Sequence, residues 1–251
     1  MEDKITEFDK IAKSYYGESV KDLGKLGKYR DTAFLYKIQL IKKILKNEPK
    51  SILDFGCGIG LNIPYLHTYF EDTKLYGCDV SSESIEIARR NFPYCNFNVI
   101  NNINDLQKYR NIDCVLISTV LHHIPQNEHK YWIDGLYNTL VNCENLTMVG
   151  RGGVIVIFEH NLNNPITKSI VKKSKIDEDA IMLSPKYCKK LLSNIFYHTK
   201  VNNKEIKILK NNVKLRYTYF FPWRNRLFTF IENLLFWLPI GAQYCVYGMK
   251  K

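Results

Sequence analysis

The strongest constraint in this chain is an apolar strand that breaks into alternating glycines and then runs into a helix. Residues 50–60 read Lys-Ser-Ile-Leu-Asp-Phe-Gly-Cys-Gly-Ile-Gly. Ile52, Leu53 and Phe55 predict the end of a buried strand, and a helix-like apolar stretch begins at Leu61. Gly56, Gly58 and Gly60 between them let a ligand lie against bare backbone, because glycine accepts positive φ and carries no Cβ. The helix N-terminus beyond offers free N–H groups and partial positive charge.

The spacing narrows the ligand. A dinucleotide fingerprint needs Gly-x-Gly-x-x-Gly, and here the third glycine comes one residue early. Asp54, ahead of the first glycine, would repel a pyrophosphate but suits a ligand with a cationic end, such as an amino-acid ammonium or a sulfonium. The loop therefore favours S-adenosylmethionine over NAD. The next strand, Lys74–Asp79, ends in an acid about twenty residues past the glycines, the position that accepts ribose hydroxyls. Ser81 or Ser82 caps the helix that follows.

Two blocks, Leu53-Asp54-Phe55-Gly56-Cys57-Gly58-Ile59-Gly60 and Gly77-Cys78-Asp79-Val80-Ser81, resemble the first two motifs of the class I SAM-dependent methyltransferases. Phe8–Tyr16 is similar to the lid helix that many small-molecule members carry. Ile112–Ile124 resembles their fourth strand and its turn, and Gly152–His160 their fifth; the likeness spans roughly residues 5–165. It implies a doubly wound, mainly parallel, seven-stranded Rossmann-like α/β sheet whose last strand is antiparallel. N-terminal lid helices (1–48), a cofactor-binding core (49–165) and a C-terminal part of the same domain (166–251) with an aromatic insertion complete it. The cofactor it implies is S-adenosylmethionine, leaving as S-adenosylhomocysteine, held by Asp54, Gly56, Cys57, Gly58, Gly60, Asp79, Val80, Ile103, Thr119 and Tyr16. Asn102 falls where the family usually has an acid for the adenine amino group; its amide oxygen can accept that bond, with Asp105 as rival. Short blocks at Glu159–Thr167, Phe220–Pro222 and Leu238–Tyr244 look like bacterial members associated with surface-polysaccharide synthesis.

Methyl transfer to a hydroxyl needs the acceptor held in line and its proton removed. His122 and His123, after the fourth strand, are the candidate bases, His123 ahead; Glu159 and His160, after the fifth, are the rival pair. Their spacing matches no standard metal motif, so no metal site is expected. Ser118-Thr119-Val120-Leu121 occupies the turn where enzymes that methylate exocyclic amines of bases carry Asn/Asp-Pro-Pro-Tyr/Phe. No nucleophilic cysteine follows a proline there, and the acidic cluster of the catechol type is missing. An O-methyltransferase for a small or carrier-linked molecule remains. An RNA methyltransferase and a non-catalytic S-adenosylmethionine-binding module are the alternatives; no RNA-binding module is recognisable, so no nucleic-acid partner is expected.

Strand–helix alternation up to residue 158 independently predicts the parallel, doubly wound sheet, with strands near 51–55, 74–78, 96–100, 112–117 and 153–158. Helices are read at 5–16, 31–46 and 185–195, and further strands at 204–210, 213–220 and 243–248. Seven scattered cysteines, no Cys-x-x-Cys and no signal peptide at Met1-Glu2-Asp3-Lys4 predict a cytoplasmic protein. Charge is uneven. Residues 1–164 hold 19 Lys+Arg against 20 Asp+Glu, while residues 165–251 hold 17 against 5. The basic half therefore meets something anionic or is simply a solvated lysine-rich surface. Arg216, Arg224 and Arg226 are candidate phosphate ligands, with Tyr29 as a further substrate contact. The aromatics of Tyr217–Ala242 are expected mostly in the core. Their alternatives are a lid over an apolar acceptor or peripheral docking at the inner face of an anionic membrane.

Overall fold

The computed structural model describes residues 8–10, 12–14, 17, 21, 23–142, 152–197, 200–201, 204–205, 213–223 and 225–250 of the 251-residue chain. Helix α1 (Arg30–Leu45) buries Ile38, Ile41 and Ile44 at helical spacing and stops where Lys46 takes a positive φ of 67°, ahead of Pro49. Strand β1 (Ser51–Phe55) is buried throughout. Then follow α2 (Ile63–Tyr69), β2 (Lys74–Asp79), α3 (Ser82–Asn91), β3 (Asn96–Val99), β4 (Cys114–Ser118), α4 (His129–Thr139), β5 (Val154–His160), α5 (Pro165–Val171), α6 (Pro185–Tyr197), β6 (Val213–Thr218), α7 (Arg226–Leu235) and β7 (Gln243–Met249).

The seven strands form one sheet in the order β3-β2-β1-β4-β5-β7-β6. β1 to β5 are parallel, and β7 runs antiparallel to both β5 and β6. This is the mixed α/β, Rossmann-like arrangement expected, and the strand near 243–248 fills the antiparallel place. A short pairing of Lys200–Val201 with Lys204–Glu205 stands apart from the sheet. Of the strand expected at 204–210, residues 206–210 lie outside the described residues.

Strand alternation divides the core in two. Ile155 and Ile157 pack with Trp132 and Ile133 of α4 and Leu192 of α6. Val154, Val156 and Phe158 pack on the other face with Ile38 and Ile41 of α1 and Ile63 of α2. The strand order reverses between β1 and β4, so their carboxyl ends open a crevice there.

The aromatic segment corrects its expectation. On α7, Leu227, Phe230 and Leu234 are exposed, as are Phe236 and Trp237 just beyond it. What the helix buries is Glu232, whose Oε1 accepts the backbone N–H groups of Phe220 (2.8 Å) and Phe221 (3.3 Å). Among the described residues no helix is long and apolar enough to cross a membrane. Much of the 5–16 helix lies outside the described residues. Its Asp9 accepts the Ser81 hydroxyl at 2.6 Å, and Phe8 sits edge-on to His123 with centroids 5.2 Å apart.

Candidate functional site

The glycine loop is tied directly to the next strand. Gly56 and Cys57 both donate their N–H groups to the Cys78 carbonyl (2.7 and 3.0 Å). Asp79 accepts the Gly58 N–H at 2.8 Å on one carboxylate oxygen and the Ser81 N–H at 2.9 Å on the other. Ser81, not Ser82, is the cap of α3, accepting the Ser84 N–H. Two glycines are required for different reasons. At Gly56 a Cβ would lie 2.5 Å from Val120, so the loop packs tightly against the turn after β4. At Gly58 (φ +51°) a Cβ would meet nothing within 4 Å. The backbone there borders open space, as a ligand cradle must.

That space is a cavity of about 310 Å³. Gly56, Cys57, Gly58 and Thr119 line it, as do His122, His123, His160 and Tyr29. Gly60, Asp79, Val80, Asn102 and Ile103 lie outside its lining. Asn102 is exposed and its amide oxygen accepts the Asn104 N–H at 2.9 Å, while Asp105 accepts the N–H groups of Asn101 and Asn102. Both adenine candidates are thus engaged in capping a short 3₁₀ turn. Thr119 holds φ +57°, a left-handed conformation that costs a β-branched residue about 1–3 kcal/mol and marks functional turns. Tyr16 lies outside the described residues.

Asp54 does not line the cavity; it is fully buried behind Asn62, whose amide nitrogen donates to both carboxylate oxygens (3.1 and 3.3 Å). Burial raises the Asp54 carboxyl to about 7, and the Asn62 bond and Lys37 pull it back only partway. Asn62 does line the cavity, and its side-chain Oδ1 is buried and has no hydrogen-bond partner. An orphaned acceptor backed by a buried acid, next to a bare-backbone loop, fits a cofactor with a cationic end. The sign of the pH effect follows. Asp54 has its folded pKa above its unfolded one, so its contribution to stability is complete below about pH 4 and is lost as pH rises through 7. A bound cation favours the ionised form, so S-adenosylmethionine should bind more tightly at pH 8 than at pH 6, and Asp54→Asn should flatten that slope. Calorimetry at the two pH values checks it; a flat parent profile would put the cation elsewhere.

The histidines separate into unlike roles. Glu159, buried on β5, accepts the Leu121 N–H at 2.9 Å and bonds His122 Nδ1 at 2.5 Å. On its other side His122 Nε2 lies 3.3 Å from Asp177 Oδ1, and His123 Nε2 lies 3.6 Å from the same oxygen. Burial works against a charged His122, yet Glu159 and Asp177 together raise the ring to about 9. His160 is the reverse: burial, helped by charged His122, lowers it to about 4. His122 is therefore held cationic and His160 neutral. Glu159 serves as the partner of His122 rather than of His160. His129 braces the turn, its Nε2 within 2.9 Å of the Leu121 and Ile124 carbonyl oxygens.

Three cavity residues were not anticipated. Lys37 is buried in α1 and donates to Ser118 Oγ at 2.8 Å; burial lowers its ammonium to about 8. Its signal was a lysine at a core-facing position, one turn before Ile41. Arg30, two turns earlier on the same face of that helix, is also buried and lines the cavity. Asp177 had no local signal. Of the expected phosphate ligands, Arg216 does not line the cavity: its guanidinium sits 4.6 Å over the Phe236 ring. Arg226 is exposed and lines a separate, open cleft with Gln39 and Asn233, and Arg224 lies outside the described residues. Tyr29 lines the cavity and its hydroxyl accepts the Trp223 indole N–H at 3.1 Å.

Fold, loop and orphaned acceptor together define a doubly wound α/β domain with a ligand cradle at its switch point. The sequence model of the family described as "Methyltransferase domain" matches residues 52–142, the stretch from β1 through α4. That stretch, 91 of the 251 residues, is similar to a methyltransferase domain. Solved structures share the fold at low identity. The plantazolicin methyltransferase BpumL, solved with a triazolic desmethylplantazolicin analogue and S-adenosylhomocysteine, is 17% identical with a TM-score of 0.58, each chain covered over 100%. Its counterpart BamL is 17% identical over 97% of this chain and 99% of its own, at 0.57. A SAM-dependent methyltransferase from Archaeoglobus fulgidus is 15% identical over 85% of this chain and 94% of its own, at 0.55. No curated protein matches the sequence.

Proposed function

We propose that this enzyme methylates an oxygen of a small or carrier-linked acceptor bearing an acid or phosphate, of sugar or lipid type, in surface-polysaccharide synthesis. The observation that carries the anionic acceptor is the pair of buried cations, Arg30 and Lys37, which face one cavity with the glycine loop and the histidines. Two positive side chains lining one cavity favour an acceptor that carries negative charge there. This moves the acid-binding role from the basic C-terminal half to α1. When bound, S-adenosylmethionine supplies an electrophilic methyl group on a sulfonium. Lys37 and Arg30 orient the acceptor's acid, and His160, held neutral, takes the proton from its hydroxyl. Tyr219, Phe220 and Pro222 bring the aromatic segment to the same cavity, and the exposed apolar side of α7 suits a lipid-linked acceptor met at the cytoplasmic face of a membrane.

The test is methyl transfer from labelled S-adenosylmethionine into fractionated cell extract. Label should enter an anionic small-molecule or carrier fraction. Label in RNA, or none in any fraction, overturns the proposal. Cofactor binding is checked beside it: Asp79→Ala should cost roughly 1.5–3 kcal/mol of S-adenosylmethionine affinity, since it removes a charge-assisted acceptor. Parental affinity by calorimetry would mean that Asp79 only braces the loop.

A further inference from the structure

We propose that His122, His123 and Asp177 bind a divalent transition-metal ion, with an open position toward the cavity for the acceptor's oxygen. The site itself does not depend on the acceptor; the role of its open position rests on the O-methylation reading.

Distances carry the argument. Asp177 Oδ1 lies 3.3 Å from His122 Nε2 and 3.6 Å from His123 Nε2. An N–H···O hydrogen bond spans roughly 2.7–3.2 Å, and His122 Nε2 is buried without a hydrogen bond of normal geometry. Ligands held about 2.0–2.1 Å from a tetrahedral ion stand about 3.4 Å apart. The two separations match the edges of such a tetrahedron better than they match hydrogen bonds. All three ligand atoms lie within 4.8 Å of one another.

The surroundings fit as well. Glu159 holds His122 by Nδ1, which leaves Nε2 to face Asp177. A carboxylate behind a ligating histidine is the usual outer partner, fixing the tautomer and raising ligand basicity. Asp177 is anchored too: its N–H donates to Ser174 Oγ at 3.2 Å, and the Ile181 N–H donates to the His122 carbonyl at 2.8 Å. Two distant segments are thus clamped so that their side chains converge. All three residues line the cavity. Three protein ligands with one open position is the pattern of catalytic rather than structural sites.

The site would act on the acceptor. An ion bound there polarises the acceptor's O–H and lowers its pKa. The hydroxyl proton passes to His160, a bond forms from oxygen to the methyl carbon, and the carbon–sulfur bond breaks with its electron pair going to sulfur. The negative charge of Glu159 and Asp177, which otherwise holds a proton on His122, holds the ion in the proton's place.

The experiment titrates the full-length protein, freed of metal by a chelator, with Co²⁺ and follows the visible d–d bands, then competes with Zn²⁺. The expected result is one equivalent bound with intense, tetrahedral-type bands that Zn²⁺ abolishes. Asp177→Asn and, separately, His123→Ala should lose the bands while keeping the parent's circular-dichroism spectrum. No bands with the parent at millimolar Co²⁺, or parental bands in both variants, overturns the site and leaves the cluster a proton-bridged ion pair. The readout needs no turnover. Metal binding with methylation at nitrogen would keep the site and remove the O-methylation reading; O-methylation without metal binding would do the reverse.

Discussion

Replacing His160 by Ala should lower kcat by about 10², with S-adenosylmethionine affinity close to the parent's. General-base loss typically costs ~10²–10⁴, and the lower end applies because a base is most effective when its pKa lies near the working pH. His160 sits well below that, at about 4, because burial and the neighbouring His122 cation both disfavour its protonation. Its advantage is that it is neutral at physiological pH and faces the cavity at the end of β5. His122 has no comparable freedom, because Glu159 and Asp177 keep it protonated. The preference for His123 read from the sequence therefore shifts to His160. Steady-state kinetics on His160→Ala decides it: an unchanged kcat removes His160 from the proton path.

The fold was legible where burial was continuous. Strands β1, β4 and β5 are buried on both faces, as parallel strands under two layers of helix must be, so Val154–Phe158 stands out as an uninterrupted apolar run and Ile52–Phe55 as one broken only by Asp54. The aromatic segment was misjudged for a related reason. Composition shows that Leu227, Phe230 and Trp237 are apolar, but only the tertiary structure shows that no other described residue covers them.

The site was legible where its chemistry is contiguous. Gly56, Gly58 and the His122–His123 turn lie within short stretches whose spacing carries the meaning. Lys37 was visible only as a breach of pattern, a lysine on the apolar side of α1. Asp177 was invisible, because its role exists only once the Ile181 N–H reaches the His122 carbonyl and carries the segment across the cavity. The arginines were read from net charge, and charge count says nothing of direction. Arg216 points to Phe236, whereas Arg30, in the nearly neutral half, points inward.

Glu159→Ala should destabilise the protein by roughly 3–5 kcal/mol, the cost of removing one partner of a buried ion pair. Glu159 and His122 are each 1% exposed, so water cannot replace the lost carboxylate. Two effects combine. The His122 cation loses one of its two flanking acids; it can shed its proton, which caps this part of the loss. The Leu121 N–H, bonded to Glu159 at 2.9 Å, is left buried without an acceptor, which costs about 1–3 kcal/mol whatever the charge on the ring. Glu159→Gln separates them, because the amide oxygen still accepts from Leu121 while the charge is gone. Its loss should be distinctly smaller than that of Ala. Urea unfolding followed by circular dichroism measures both. Equal midpoints for parent and Ala variant would mean that Glu159 neither holds the ring's charge nor the turn, and the division of labour between His122 and His160 would lose its physical basis.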